Sequence, residues 1–345
     1  METIQTLSKM LQTSGNQYAI FDLGRRIQAI DNSKFESIEA GSQPYPYPVQ
    51  RSAQFAIAYW DETKQPWIWF LKFELDERGL LQQPHVTQFI EYVLEAMGAR
   101  LNNELTEEQQ QKLTNNPYTF KPNDDKMAMF HSVIRAQLSL SCSQYYEHAQ
   151  CYFTGNLGWE NWQTVGLQGI TDMCARINQE QNGVLLRKAI THLPTPPLYA
   201  LLGALEHIEL PEKLAERLVE LANEQIESGQ PDIFFISALV RALAGAPTQD
   251  LAQLTDTLLA SAELSHQEVL IGLAGRSWHI LADGTRAQRF LLRLAQTGNQ
   301  DLFNQLFADL VMLPSLRMVL LPLLHTSPSP ELSAALIELQ RSAKA

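Results

Sequence analysis

Two charged clusters hold the residues whose types and spacing could do chemistry. In FDLGRR, Asp22 and Gly24 precede Arg25 and Arg26, and paired guanidinium forks beside a glycine turn suit a phosphate or a carboxylate. In LDERG, Asp76, Glu77 and Arg78 close a run before Gly79, a charged strand end able to hold a polar ligand. Each cluster also has a structural alternative. The arginines can pair with Glu36, Glu39 or Asp76 on a sheet surface, where exposed ion pairs contribute little, and DERG suits a solvated turn. Spacing alone sets no paired-carboxylate geometry for acid–base work. Asp22, Arg25, Arg26, Asp76, Glu77 and Arg78 are therefore candidate binding residues, and no catalytic residue is assigned.

Cys142, Glu147, His148 and Cys151 are the cluster with metal-ligand residue types. On one helix the two cysteines, nine positions apart, point to nearly opposite faces. His148 and Cys151 alone supply two ligands where zinc needs three or four. A Cys nucleophile beside His148 lacks an orienting third group, and buried cysteine is usually packing. His207, His266, His279 and His325 are scattered and suit caps or surface positions. Gly272 to Gly275 is too short for a phosphate loop and follows no strand. No metal and no cofactor is expected.

Composition sets the frame around these residues. The 345 residues suit two domains or a domain plus an array, and 45% hydrophobic with 19% charged residues is ordinary for a folded soluble protein. Against 26 Lys and Arg stand 38 Asp and Glu, a net charge of -12, which argues against nucleic acid because backbone contacts need clustered cations. Three cysteines without a CxxC pattern speak against an oxidising compartment. The N-terminus lacks a signal-peptide pattern. Leu302 to Leu324 is interrupted by Asp309, Pro314, Arg317 and Pro322, which excludes a lipid-facing span. The expected location is the cytoplasm, with no membrane contact.

The elements that must position the charged clusters centre on Gln54 to Gly79, which carries three of the six tryptophans. Phe55, Ile57 and Tyr59 alternate with smaller residues; after the polar DETKQP, Trp67, Trp69, Leu71 and Phe73 alternate again. Period two on both arms predicts a β-hairpin. Each buried Trp removes roughly 150 to 250 Å² from water, on the order of 4 to 6 kcal/mol at ~25 cal/mol per Å². A helix opened by Pro84, with Val86, Phe89, Ile90, Val93 and Met97 on one stripe and Gly98 as its stop, supplies the cover. Upstream, Ile4, Leu7 and Leu11 mark a short helix, Gln17 to Ile30 fits two short strands across a turn, and Pro44, Pro46 and Pro48 make a stiff surface connection. Residues 102–125 are polar and Asn/Gln/Pro-rich, with Thr106 and Gln109 able to cap one short helix.

Beyond that stretch, helix follows helix. Pro211 begins one with Leu214, Leu218 and Leu221, closed by Gly229; Pro231 to Leu243 is followed by Gly245; Leu251, Leu254 and Leu258 form the next stripe. Ser265 with Glu268 reads as a capping box, Phe290, Leu291 and Leu294 form another stripe, and Ser329 before Pro330 starts the last helix. Leu205, Leu239 and Leu273 suggest a weak period of about 35 residues, in the range of helix-pair repeats. The expected fold is an α+β domain over 1–101, an antiparallel sheet with a covering helix, then a polar linker over 102–125 and an all-α, HEAT-like array over 126–345.

FDLGRR at 21–26, PYPYP at 44–48 and WIWFLKFELDERG at 67–79, followed by an all-helical remainder, resemble the DUF3549 family of gammaproteobacterial proteins. The resemblance runs the full length and implies a bacterial cytoplasmic setting; it implies no activity. The function expected from the residues is that of a non-enzymatic interaction or adaptor protein using array and sheet domain as binding surfaces. Its acidic balance favours a basic protein partner. The alternative is an enzyme or small-ligand binder with its site in a cleft between the domains, built on Arg25 and Arg26.

Overall fold

The computed structural model describes residues 6–97, 101, 106, 107, 111, 116–325 and 329–342. Ile4, Gly98 and Gln109, assigned from sequence to a helix face, a helix stop and a cap, lie outside the described residues, as does most of the polar stretch after residue 101. Contacts divide the chain into one unit of Met1–Asn123 with Met312–Pro314 and a second of Asp124–Val311 with Ser315–Ala345.

In the first unit β1 (Gln17–Asp22), β2 (Gln28–Ile30), β3 (Ser52–Trp60) and β4 (Trp67–Glu74) form one antiparallel sheet in the order β2-β1-β3-β4. The hairpin arises where period two placed it: Ile57 pairs with Trp69 and Phe55 with Leu71. That register sets Phe55, Ile57, Tyr59, Trp69, Leu71 and Phe73 on one buried face. Three helices, α1 (Leu7–Thr13), α2 (Asn32–Glu39) and α3 (Gln83–Met97), supply the other half of this core. Phe55 meets Phe35 of α2 edge-on at 5.3 Å, and Trp69 meets Phe89 of α3 edge-on at 5.7 Å, the arrangement that ring quadrupoles favour.

Two segments behave differently from their composition. The Pro-rich connection is not merely superficial: Tyr45 is completely buried, because the prolines hold the backbone extended while the ring between them fills the end of the core. Within the polar stretch, the Lys72 amide donates to the Tyr118 carbonyl and the Phe120 amide to the Phe70 carbonyl. Tyr118 is buried against Phe73. These residues protect the backbone groups of the edge strand β4, which would otherwise invite another chain.

A buried acid joins α1 to α2. The Glu39 carboxylate accepts the Leu7 amide at 2.7 Å, the Ser8 amide at 3.1 Å and the Ser8 hydroxyl, satisfying donors that the first turn of α1 cannot satisfy itself. Burial pushes the Glu39 carboxyl above its usual range, outweighing the opposing pull of the Ser8 hydroxyl and the two amides.

In the second unit the helices are α4 (Asp124–Gln137), α5 (Tyr146–Phe153), α6 (Leu167–Ala175), α7 (Asn182–Ala189), α8 (Thr195–Leu205), α9 (Glu212–Glu227) and α10 (Ile233–Ala242), then α11 (Thr248–Ala260), α12 (Gln267–Arg276), α13 (Gly284–Gln296), α14 (Gln300–Met312), α15 (Pro314–Leu320) and α16 (Pro330–Ser342). The leucine stripes point inward, with Leu214 and Leu218 of α9, Leu254 and Leu258 of α11 and Phe290 and Leu294 of α13 all buried. Alternate helices pack on one another: α4, α6, α8, α10 and α12 form one succession, and α5, α7, α9, α11 and α13 the other. One cap differs from the sequence pattern. His266, not Ser265, precedes α12, its ring nitrogen accepting the Glu268 amide. Ser265 is buried and donates to the Leu258 and Ser261 carbonyls.

The Glu39 geometry yields a pH test. A carboxyl whose folded pKa lies above its unfolded value favours folding in its protonated form, so its contribution is present below the unfolded pKa and is lost as pH rises through the folded one. Glu39→Gln, uncharged throughout, should therefore gain on the natural chain as pH rises above the ordinary glutamate range. Thermal unfolding followed by tryptophan fluorescence reads this as a Tm difference moving in the variant's favour with rising pH; a pH-independent difference contradicts it.

Candidate functional site

Antiparallel pairing brings the end of β1, the start of β3 and the end of β4 to one end of the sheet, and with them both charged clusters. Asp22 ends β1 and is fully buried. One carboxylate oxygen accepts the Gly24 amide at 3.2 Å and the Tyr45 hydroxyl at 2.7 Å, and the other accepts the Arg25 and Arg26 amides at 3.1 and 3.3 Å. Burial and the Asp22 charge hold the Tyr45 hydroxyl far above its ordinary range, so it remains a donor. The Leu23 and Gly24 amides both reach the Gln54 carbonyl. A Cβ on Gly24 would meet the Val49 methyl at 3.1 Å and the Asp22 carboxylate at 3.4 Å, so the turn is closely packed at this position.

Arg25 is 1% exposed, and its Nε donates to the Pro48 carbonyl at 3.0 Å; Arg26 is half-buried. At the neighbouring strand end, Asp76 accepts the Arg78 amide at 2.9 Å, the Leu80 amide at 2.8 Å and Arg78 Nε at 3.2 Å. The Leu80 amide leads the groups that hold the Asp76 carboxyl below its usual range, joined by the Arg78 side chain and amide. Gly79, at φ +83, closes this turn. Glu77 and Arg78 are exposed, and Glu77 lies 3.6 Å from Arg51. Tyr45 links the clusters, its amide donating to the Gly79 carbonyl while its hydroxyl reaches Asp22. Of the six candidate residues, Asp22 and Asp76 organise turns, Arg25 fills the interior, Arg26 is half-buried, and Glu77 and Arg78 meet solvent.

The cysteine cluster is not on one helix. Cys142 precedes α5 whereas Cys151 lies within it, and the His148 ring meets the Thr164 hydroxyl at 2.9 Å. Cys174 is fully buried, which pushes its thiol far up and makes it unreactive packing. Among the described residues no group of three His, Cys, Asp or Glu side chains comes together as a metal site.

A buried polar network joins α4 to α6. Asp172 accepts the Ser132 hydroxyl at 2.8 Å, the Ser143 amide at 2.9 Å and Arg176 Nη1 at 3.2 Å, and Arg176 Nη2 donates to the Leu140 carbonyl. Beside it lies a shallow pocket of about 570 Å³ lined by residues including His131, Arg135 and Cys142. Burial, then the Arg135 charge, lower the His131 pKa, while Arg135 is engaged by the Ser141 carbonyl. The one sequence signal for this network is an Asp within the apolar helix α6 and an Arg four residues on, at its C-terminal cap. A second cluster joins α8 to α12: Arg276 Nε donates to Glu206 at 2.7 Å, with His207 3.3 Å from the same oxygen.

These features define a protein with a four-stranded antiparallel sheet in its first unit and many helices after it. The chain belongs to the DUF3549 family: the model described as "Protein of unknown function (DUF3549)" matches residues 2–340. No curated protein and no solved structure matches it. No described helix is long and apolar enough to cross a membrane.

Two substitutions separate scaffold from surface. Arg25→Ala should cost about 2 to 4 kcal/mol in urea unfolding through lost stem packing and an orphaned carbonyl, while Arg78→Ala should cost about 0.5 kcal/mol or less. Equal effects would contradict the assignment. Asp172→Ala, which strands Arg176 in the interior, should cost about 3 to 5 kcal/mol.

Proposed function

We propose that this chain acts by binding other proteins, as a non-enzymatic adaptor whose helices form a HEAT-like array. The observation that carries the reading is the succession α4, α6, α8, α10, α12 stacked beside α5, α7, α9, α11, α13. In such an arrangement each helix pair covers its neighbour's apolar face and leaves a long outer surface open. Apolar groups on that surface support the reading. Phe234 is 63% exposed on α10 and Ile271 is exposed on α12, and a Cβ at Gly203 of α8 or Gly275 of α12 would meet nothing within 4 Å. Arrays of this kind recognise extended segments of other proteins. A net charge of -12 favours a basic partner, and three unpaired cysteines suit the cytoplasm. The boundaries 1–101, 102–125 and 126–345 belong to the same reading, with the sheet domain as a second surface and the exposed Glu77 and Arg78 at its rim.

The test is affinity capture with the full-length chain from native lysate. At low salt one partner should be recovered at near-stoichiometric amount, and recovery should fall as the ionic strength rises and shortens the Debye length below about 8 Å. Capture of no stoichiometric partner in mild salt overturns the adaptor reading.

A further inference from the structure

The first turns of three helices of one succession meet at a single edge. Ser237 Oγ donates to the Glu268 carbonyl and Ser277 Oγ to the Val240 carbonyl, so α10 and α12 run in the same direction and start on the same side. Tyr199, in the first half of α8, lies 6.3 Å from Phe235 of α10. The preceding residue, Phe234, stands 6.5 Å edge-on from His266 at the head of α12. Tyr199, Phe235, Phe234 and His266 thus form a continuous aromatic edge across three helices. Phe234 is the most exposed aromatic side chain among the described residues. Past His266 the edge runs into a groove of about 340 Å³, lined by Ser265, Gln267, Arg293, Gln296 and Thr297 among others.

Around Phe234 and His266 three acidic residues, Asp232, Glu263 and Glu268, lie close in the chain. Asp232 caps α10 by accepting the Phe234 and Phe235 amides at 3.0 Å each; at Tyr199, on the α8 side, its charge is opposed by that of Arg241. Glu263 and Glu268 flank His266 and make no ion pair with any described residue. The cation of the groove, Arg293, is already engaged: it donates to the Leu259 carbonyl at 2.8 Å, to the Ala260 carbonyl at 2.6 Å and to Gln296 at 2.9 Å. It thereby offsets the negative end of α11. The edge is aromatic at its centre and mainly acidic toward its Phe234 and His266 end.

Size fixes the kind of ligand. Helices packed about 10 Å apart put roughly 20 Å between the first and third of a row, which about six residues span when extended at ~3.3 Å each. A groove with Gln267 and Gln296 beside an exposed phenyl ring suits one apolar anchor on a backbone that needs polar partners.

We propose that this edge docks a short extended segment of a partner protein, with one apolar or aromatic side chain seated against Phe234 and His266 and with Lys or Arg on either side facing Asp232, Glu263 and Glu268. This deepens the protein-binding reading above and rests on it. An acidic segment would meet the rim's own charge, and a purely apolar one would leave three carboxylates facing buried surface.

Selection of phage-displayed random dodecapeptides on the full-length chain, with counter-selection on Phe234→Asp, tests this. Enriched peptides should carry Lys or Arg within a few positions of an apolar residue. A labelled synthetic copy, measured by fluorescence polarisation, should bind Phe234→Asp at least about ten-fold more weakly. Binding to the Glu263→Lys, Glu268→Lys double variant should fall about five-fold, with a shallower salt dependence. Because Phe234 projects into solvent, its variants should keep the natural thermal midpoint; Phe234→Ser replaces the Asp variant if that midpoint drops. No enrichment, enrichment of acidic peptides, or binding unchanged in a folded Phe234 variant overturns the site. A lysate partner retained equally by wild type and Phe234→Asp would remove this edge while leaving the adaptor reading standing; absence of any partner removes both.

Discussion

Asp22 places a carboxylate out of reach of solvent at the end of β1 and surrounds it with three consecutive backbone amides and the hydroxyl of a completely buried tyrosine. A buried carboxylate is tolerated only when its oxygens are satisfied, so this group dictates the path of the chain around it. The amides of residues 24–26 must turn toward it, which bends the chain from β1 toward β2. Tyr45 must enter the core from between two prolines, which fixes where the 44–48 segment crosses the sheet end. That crossing in turn supplies the Pro48 carbonyl for Arg25 and lets the Tyr45 amide hold Gly79. Removing any one donor would leave a charged acceptor short of a partner, at a cost of about 1 to 3 kcal/mol.

The same constraint explains what the sequence could and could not disclose. The hairpin and α3 were legible because period-two and helical stripes are local signals, set by residues two to four apart. Tyr45 was not, since its partner lies twenty-three positions away and proline-rich composition points to the surface. Tyr118 and Phe120 were hidden in the same way, their pairing with β4 being long-range inside a polar stretch. Asp22 and Arg25 have the residue types of an anion site, but those types also build buried turns, and only burial distinguishes the two uses. The cap of α12 fell one residue away from the Ser265 pattern because His266 offers an acceptor nitrogen at the position where the backbone is extended.

In the helical unit the leucine stripes were readable and the cross-helix polar contacts were not. Asp172 lies within a helix that otherwise reads as apolar and Arg176 caps its end four residues on, and their partners Ser132, Ser143 and Leu140 come from other segments. Their physical effect is to make one packing of α4 on α6 far better than its neighbours in register, because any slip would strand a buried charge. The aromatic edge over α8, α10 and α12 could not be found from the sequence either. Phe234 and Phe235 are adjacent in FFISALV and look like core; which of them faces water depends on the direction in which α10 packs.

A double-mutant cycle between Asp22→Asn and Tyr45→Phe, read by urea unfolding through tryptophan fluorescence, measures most directly whether this buried pair organises the N-terminal unit. The account predicts that the two changes are coupled by about 1 to 2 kcal/mol, the second costing much less once the first has been made. Additivity within about 0.3 to 0.5 kcal/mol would contradict it.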